Sequence, residues 1–338
     1  MHYIGLDVHK QSITYCVKTA DGAVADRGTL EATRPALESW AATLPQPWQG
    51  VMEATAFSGW IHDTLSPHAD DLAVAHPADL DAIIKSKKKS DKIDAEKMTD
   101  LLRVDMLRRV WLPPREWREL RRLLRYRNRL VEQAVWHKNR IATALMELGE
   151  PYVKSKLHTK SYFYPFLDNL ESGEEDGLLL CASRDRLEES ERLARLIEGK
   201  LLRHPLLERR VALLQTIPGV GVMTALTWAV EIGELARFRT LNELVSYCGL
   251  CARLDESAGK AKRGPLSKQR NKHLQRVLIE AAKLAPRWNE ELARLHAKEC
   301  ERGHRNRATV EVARALVARA LVARLRAVDR RGAPYEKR

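Results

Sequence analysis

The order of strand-like and helix-like runs in the first 77 residues restricts the fold more than any other feature of this chain. β-Rich stretches at 3–7, 12–19 and 24–30 succeed one another through short connections containing Lys, Asp and Gly, the pattern of antiparallel hairpins. A helical run near 34–43 leads to a strand at 49–54, and another near 58–65 leads to a strand at 72–75. Strands separated by helices can run parallel, because the helix provides the crossover. One mixed α/β sheet is therefore expected, antiparallel on one side and parallel on the other.

Beyond residue 77 the strand signal fades, and Pro113-Pro114 closes the segment. Residues 115–148 carry helical spacing in Leu120, Leu123, Leu124, Leu130 and Val131, continued by Ile141, Ala144, Leu145 and Leu148. A second helical stretch at 184–202 repeats apolar positions at Leu187, Leu193, Leu196 and Ile197, so the two predict an antiparallel coiled-coil arm. Residues 151–177, with five aromatics and an acidic run, read as its tip. From 205 onward the pattern is helical, interrupted by one irregular insert at about 248–272. At 338 residues the chain exceeds a single domain. The expected division is an α/β metal-binding domain at 1–112, the arm at 113–204, a mainly α-helical domain at 205–330 and a tail at 331–338.

A net charge of +13, from 58 Lys and Arg against 45 Asp and Glu, favours a polyanionic partner over a neutral small molecule. No stretch approaches the roughly 18 consecutive apolar residues of a membrane span. The N-terminus begins directly with a strand pattern rather than a signal peptide, which implies a cytoplasmic protein. Five scattered cysteines argue for reduced thiols rather than a disulfide framework. Cys248 and Cys251 have zinc-ligand spacing, but without a second pair they read as two small apolar side chains.

Against this basic background stands one acidic set. Asp7 ends the first strand and Glu53 ends a later one; Asp91 and Asp94, three apart, share one face of a helix beginning there. Ser90 or Asp91 could serve merely as an N-cap, with Asp94 favouring the helix dipole. The combination of four carboxylates fits phosphoryl transfer instead, because hard Mg²⁺ or Mn²⁺ takes oxygen ligands while keeping water and phosphate in its shell. Paired ions about 4 Å apart would activate the attacking oxygen and stabilise the leaving one. Lys85, Lys87, Lys88, Lys89 and Lys92 crowd the approach, placed to neutralise phosphates.

The C-terminal half carries a second constellation. Ile217-Pro218-Gly219-Val220-Gly221 joins two apolar helical runs, as in a helix-hairpin-helix whose glycines let backbone N–H groups approach a phosphate. A tight turn used only for packing is the alternative. Farther on, Ser257 lies among small residues and the cations Lys260, Lys262, Arg263, Lys268, Arg270 and Lys272. Such surroundings suit a phosphate-attacking hydroxyl, since cations stabilise its alkoxide and the pentavalent transition state. The basic helix after residue 115, interleaved with Trp117, Tyr126 and Trp136, serves either nucleic-acid contact or arm packing.

These residues resemble the DEDD transposases of insertion sequences, relatives of the Piv-type DNA invertases and understood as bridge-RNA-guided recombinases. The resemblance rests on Ile4-Gly5-Leu6-Asp7-Val8-His9-Lys10, Met52-Glu53-Ala54-Thr55 and Lys89-Ser90-Asp91-Lys92-Ile93-Asp94-Ala95. In the C-terminal half, Phe238, Tyr247, Gly249, Leu250, Ser257, Ser267, Lys268 and Leu274 fit in order. Two departures stand out. Gly249-Leu250-Cys251-Ala252 replaces the usual Gly-Leu-x-Pro, and Ser257-Ala258-Gly259 replaces Ser-Gly, which leaves Ser267 as a second candidate.

The resemblance implies an RNase H-like, RuvC-like first domain with Asp7, Glu53, Asp91 and Asp94 as metal ligands. It also implies that Ser257 is the nucleophile, forming a serine–DNA link in a homodimer or homotetramer. Donor and target duplexes and a structured guide RNA are the implied partners. Two other readings remain open: a RuvC-like endonuclease using water, and a non-catalytic nucleic-acid-binding protein. The Gly-x-Asp strand also suggests an actin-like sugar kinase, but the sequence shows no second phosphate-binding repeat.

Overall fold

The computed structural model describes residues 1–77, 80, 90–171, 173–257, 260–266, 270–302 and 307–336, with the backbone alone at 252–257, 260–266, 299, 302 and 307–313. The chain forms two compact units, Met1–Glu116 and Trp117–Arg338.

In the first unit, strands β1 (His2–Val8), β2 (Ser12–Thr19), β3 (Val24–Glu31), β4 (Trp48–Glu53) and β5 (Asp71–Ala75) form one sheet in the order β3-β2-β1-β4-β5. The hairpin-linked strands β1, β2 and β3 are antiparallel, whereas β4 and β5 run parallel to β1. This is the mixed sheet that the sequence predicts. Side-chain alternation divides it into two faces. Ile4, Leu6, Val8, Trp48, Met52, Leu72 and Val74 fill a core under α1 (Arg34–Thr43) and α2 (Ser58–Leu65). Val51, Ala73 and Ala75 face the other way, onto Met98, Leu101 and Leu102 of α3 (Asp91–Arg103).

Gly5 determines how closely α3 can approach. A Cβ there would lie 2.1 Å from the Ala95 carbonyl oxygen and 2.5 Å from Thr99 Oγ1, so any side chain would lift the helix off the sheet. Thr99 Oγ1 donates across the interface to the Cys16 carbonyl at 3.2 Å. The buried Lys18 reaches Glu96 at 3.0 Å and Asp100 at 2.7 Å, fixing the register of the helix.

In the second unit, α4 (Arg115–Glu147) and α6 (Glu174–Leu202) run antiparallel: Arg127 pairs with Glu198 and Lys138 with Glu191, each at 2.7 Å. Helix α6 begins at Glu174, ten residues earlier than its apolar spacing indicates. The acidic Glu174, Glu175 and Asp176 form its first turn, where they complement the helix dipole. Between the two lies α5 (Lys160–Asp168), whose Phe163 packs with Ile141, Leu145, Leu157, Leu180 and Leu187 in a separate distal core.

At the other end of the pair, Leu120, Leu124 and Leu201 join the main core of this unit. That core is built by α7 (Glu208–Gln215), α8 (Val222–Ile232), α9 (Leu241–Tyr247), α10 (Lys272–Leu284), α11 (Glu290–Arg302) and α12 (Arg307–Arg331). Every residue of α8 from Thr224 to Ile232 is buried, as expected of a central helix that is apolar on every face apart from Thr224, Thr227 and Glu231. Arg210 grips Asp329 through both carboxylate oxygens at 2.7 and 2.6 Å, and Trp228 donates to the same carboxylate. The segment read as an irregular insert contains a two-stranded antiparallel hairpin, β6 (Ala252–Ser257) and β7 (Lys260–Leu266). Its sequence, ARLDES and KAKRGPL, lacks the apolar alternation by which strands are recognised. Among the described residues, no helix is long and apolar enough to cross a membrane.

Candidate active site

The contact at Gly5 positions the acidic set. Helix α3 runs opposite to β1, with Ala95 and Thr99 over Gly5 and Asp100 toward the start of the strand. Stepping back from Ala95 to Asp91 advances about 6 Å along the helix. Two residues along β1, from Gly5 to Asp7, advance about 6.6 Å in the same direction. Asp91 and Asp7 therefore arrive at the same place.

There, His9 Nε2 in the β1–β2 turn lies 3.2 Å from Asp7 Oδ2 and 3.5 Å from Asp91 Oδ2. One ligand atom each from Asp7, His9 and Asp91 fall within 4.8 Å of one another, close enough to hold a single cation. The Asp7 side chain is 13% exposed and the Asp91 side chain 58%, so the cluster has an enclosed floor and an open rim.

Glu53 comes from the neighbouring strand. Leu6 is in register with Met52, which makes Asp7 and Glu53 the next residues on two parallel strands. Alternation turns both toward the face that α3 covers, the face of Gly5 and Val51. Asp94 sits one turn along α3 from Asp91 and acts on Asp7 as a like charge. Burial first, then the Asp91 and Asp94 carboxylates, push the Asp7 carboxyl above its ordinary range, against the opposing pull of His9. Grouped carboxylates that raise one another's proton affinity also favour a divalent cation, which would replace the proton.

Ser90 occupies the N-cap position of α3, but its side chain makes no capping hydrogen bond, and Asp91 is the first helical residue. Capping through either side chain thus does not explain the acidic pair. His9 is the residue that sequence reasoning missed. Its only signal was its place two residues after Asp7, in a turn where no periodicity marks a side chain's direction.

The second unit contains a contrasting charge group. Glu231 of α8 is fully buried and receives two hydrogen bonds from Arg125, both 2.8 Å, and a third from Asn271 Nδ2 at 2.8 Å. Arg121 donates to the Glu231 and Val230 carbonyls at 2.6 and 3.2 Å, and Tyr247 donates to the Glu231 carbonyl at 3.3 Å. Burial alone would raise the Glu231 pKa, but the Arg125 and Asn271 partners outweigh it and hold the carboxyl below its usual range. Asn271 Oδ1 also caps α10, and its backbone N–H donates to the Tyr247 carbonyl at 2.9 Å. These bonds fix the point where the chain leaving β7 enters α10.

Ser257 is the last residue of β6 and is in register with Lys260, the first of β7. Lys262 and Arg263 follow on β7, opposite Asp255 and Leu254. Lys87, Lys88 and Lys89 lie outside the described residues, as do Ser267 and Lys268. Arg270 and Lys272 are exposed, with the Arg270 side chain passing over Gly249, where a Cβ would come within 2.6 Å of it.

Of the two turn glycines, Gly219 has φ +89° and an added Cβ would come within 2.8 Å of Ala285, whereas Gly221 opens onto free space before α8. On α4, Arg121 and Arg125 are committed to Glu231, and Trp117 packs on the core under Arg210; Tyr126 and Trp136 remain exposed. Among the described residues, Cys248 and Cys251 gather no third ligand, and burial pushes the Cys248 thiol up.

Known proteins similar to this chain in sequence are transposases. Residues 4–149 match a family model for transposases of the DEDD, IS110 type, and residues 211–297 match the model described as the transposase IS116/IS110/IS902 family. The transposase of insertion sequence element IS1328 from Yersinia enterocolitica is 25% identical over 290 residues, covering 83% of this chain and 83% of its own length. The transposase of element IS1111A from Coxiella burnetii is 26% identical over 240 residues, covering 69% of this chain and 64% of its own. The chain is accordingly an enzyme of the transposase class, acting on DNA. It carries two transposase domains of the IS110/IS116/IS902 kind, the DEDD domain first along the sequence.

Proposed function

We propose that this transposase cuts and rejoins DNA strands, with Asp7, Glu53, Asp91 and Asp94 holding Mg²⁺ or Mn²⁺ and Ser257 supplying the nucleophile. The observation that carries the metal half is the Asp7–His9–Asp91 cluster, whose ligand atoms lie within 4.8 Å. A divalent ion there would draw negative charge from the scissile phosphate. The carboxylates fix its position, and the open rim at Asp91 leaves room for a phosphate.

The serine half rests on the family resemblance. Ser257 Oγ bonds to phosphorus, its proton is released, and the bridging oxygen departs as a DNA hydroxyl. A hydroxyl of the exchanged strand then reverses the step, releasing the serine and conserving the number of phosphodiesters. Lys260, Lys262 and Arg263, on the strand paired with that of Ser257, supply positive charge nearby in the sequence register. The antiparallel α4–α6 pair acts as the coiled-coil arm of a homodimer or homotetramer, and the Gly219–Gly221 turn as a helix-hairpin-helix contact to the DNA backbone. A structured guide RNA selects donor and target duplexes.

Denaturing electrophoresis of the wild-type protein with its element-end DNA tests this reading. A covalent protein–DNA adduct is expected, lost in Ser257→Ala and in Asp7→Ala. Free ends without an adduct would favour hydrolysis by water, and an adduct that persists in Ser257→Ala would remove the serine assignment.

A further inference from the structure

His9 has a second neighbour besides the carboxylates. The β1–β2 turn that carries it also borders a cleft of about 430 Å³, lined by His9, Lys10, Ala32, Arg34, Phe57 and Trp60. The lining comes from separate pieces of the first unit: the turn, the end of β3, the start of α1, and the approach to and first part of α2. Phe57 and Trp60 pack against the apolar core beneath α1 and α2 while remaining half-exposed, which makes them rigid rings with one accessible side. Arg34 lies over the Trp60 ring, 5.5 Å from its centroid, and is anchored by a hydrogen bond to Thr64 Oγ1 at 3.2 Å. Lys10 is exposed at the mouth. Among the described residues, no carboxylate lines the cleft.

We propose that this cleft holds an unpaired base of the DNA strand whose neighbouring phosphate lies at the carboxylate cluster. Aromatic rings and a held guanidinium offer flat faces for base stacking, and lysine offers charge for the backbone; together they are the means by which proteins grip single-stranded nucleic acid. The volume lies within the range that encloses a small ligand, which suits one nucleotide. A base inside a duplex is stacked on both faces and paired along one edge, so only a splayed base could enter. His9 belongs to both places and joins them. The strand being cut is therefore locally opened at this unit before chemistry. The inference rests on the DNA-cleaving reading above, and it adds a site that recognises the base rather than the phosphate.

Photo-crosslinking of the full-length chain tests it, with Ca²⁺ present and a short oligothymidylate carrying a single 5-iodouracil as the probe. Crosslinks are expected at Phe57 or Trp60. A parallel titration compares oligothymidylate with an abasic strand of equal length. Trp60→Ala should reduce the preference for the base-bearing strand by about fivefold or more, the effect of one lost stacking contact. Lys10→Glu, at an exposed position that does not threaten folding, should weaken both strands alike. If the oligonucleotide binds but crosslinks only outside residues 9–60, or if the base preference survives in Trp60→Ala, the cleft is refuted and the proposed function stands. If neither this strand nor duplex DNA binds, both fall together.

Discussion

The molecule gathers charge twice and treats it in opposite ways. At the end of β1, Asp7, Asp91 and Asp94 stand close together with one histidine among them, and the Asp7 carboxyl is pushed above its ordinary range. In the second unit, Glu231 is more deeply buried, yet its carboxyl is held below the ordinary range because Arg125 and Asn271 satisfy its oxygens. Burial is common to both; the partners decide the sign. A self-satisfied buried charge serves architecture, here the seating of α4, α8 and α10. A buried group of like charges costs stability and persists where something from outside completes it.

The contrast yields tests of decreasing size. Asp7→Ala should lower strand cleavage by more than about a hundredfold, exceeding the loss of an outer-shell partner, while leaving the thermal midpoint within a few degrees of wild type. Glu231→Ala should do the reverse, costing about 3 kcal/mol in chemical denaturation of the second unit. That is the low end for a broken buried pair, because the Arg125 side chain is 46% exposed and keeps water on its outer side. The variant should bind Mn²⁺ as well as wild type does.

His9→Ala should reduce cleavage about tenfold if the imidazole orients or completes the carboxylate set. A wild-type rate would return His9 to being a turn residue. The smallest effect separates the two regions by pH. Glu231, with its pKa depressed in the folded state, contributes stability that is present above the ordinary carboxylate range and lost as pH falls through its depressed value. Asp7, with its pKa raised, does the opposite: its ionised form costs stability above the raised value, and acid relieves that cost. Asp7→Asn should therefore stabilise the metal-free protein at neutral pH by less than about 1 kcal/mol, an advantage that vanishes below the ordinary carboxylate range.

Much of the first unit was legible in the sequence because its strands alternate or run apolar and its connections are short. The limits of β2, α1 and α2 follow directly from pattern. The four carboxylates were legible because strand ends and a helical i, i+3 spacing place side chains predictably. Three features were not. His9 lies in a turn, where no period fixes direction. Glu231 hides in an otherwise apolar helix, and its partners Arg125 and Asn271 lie 106 and 40 residues away, a pairing that only tertiary packing makes. The β6–β7 hairpin has a polar composition that carries no strand signal.

The central claim is that the like charges at the end of β1 are completed by a divalent cation. Mn²⁺ binding to the full-length protein, followed by electron paramagnetic resonance, addresses it most directly. The account predicts tight binding in wild type that is lost in Asp7→Ala and in Asp91→Ala but retained in Glu231→Ala. Tight binding that survives in both aspartate variants would contradict it.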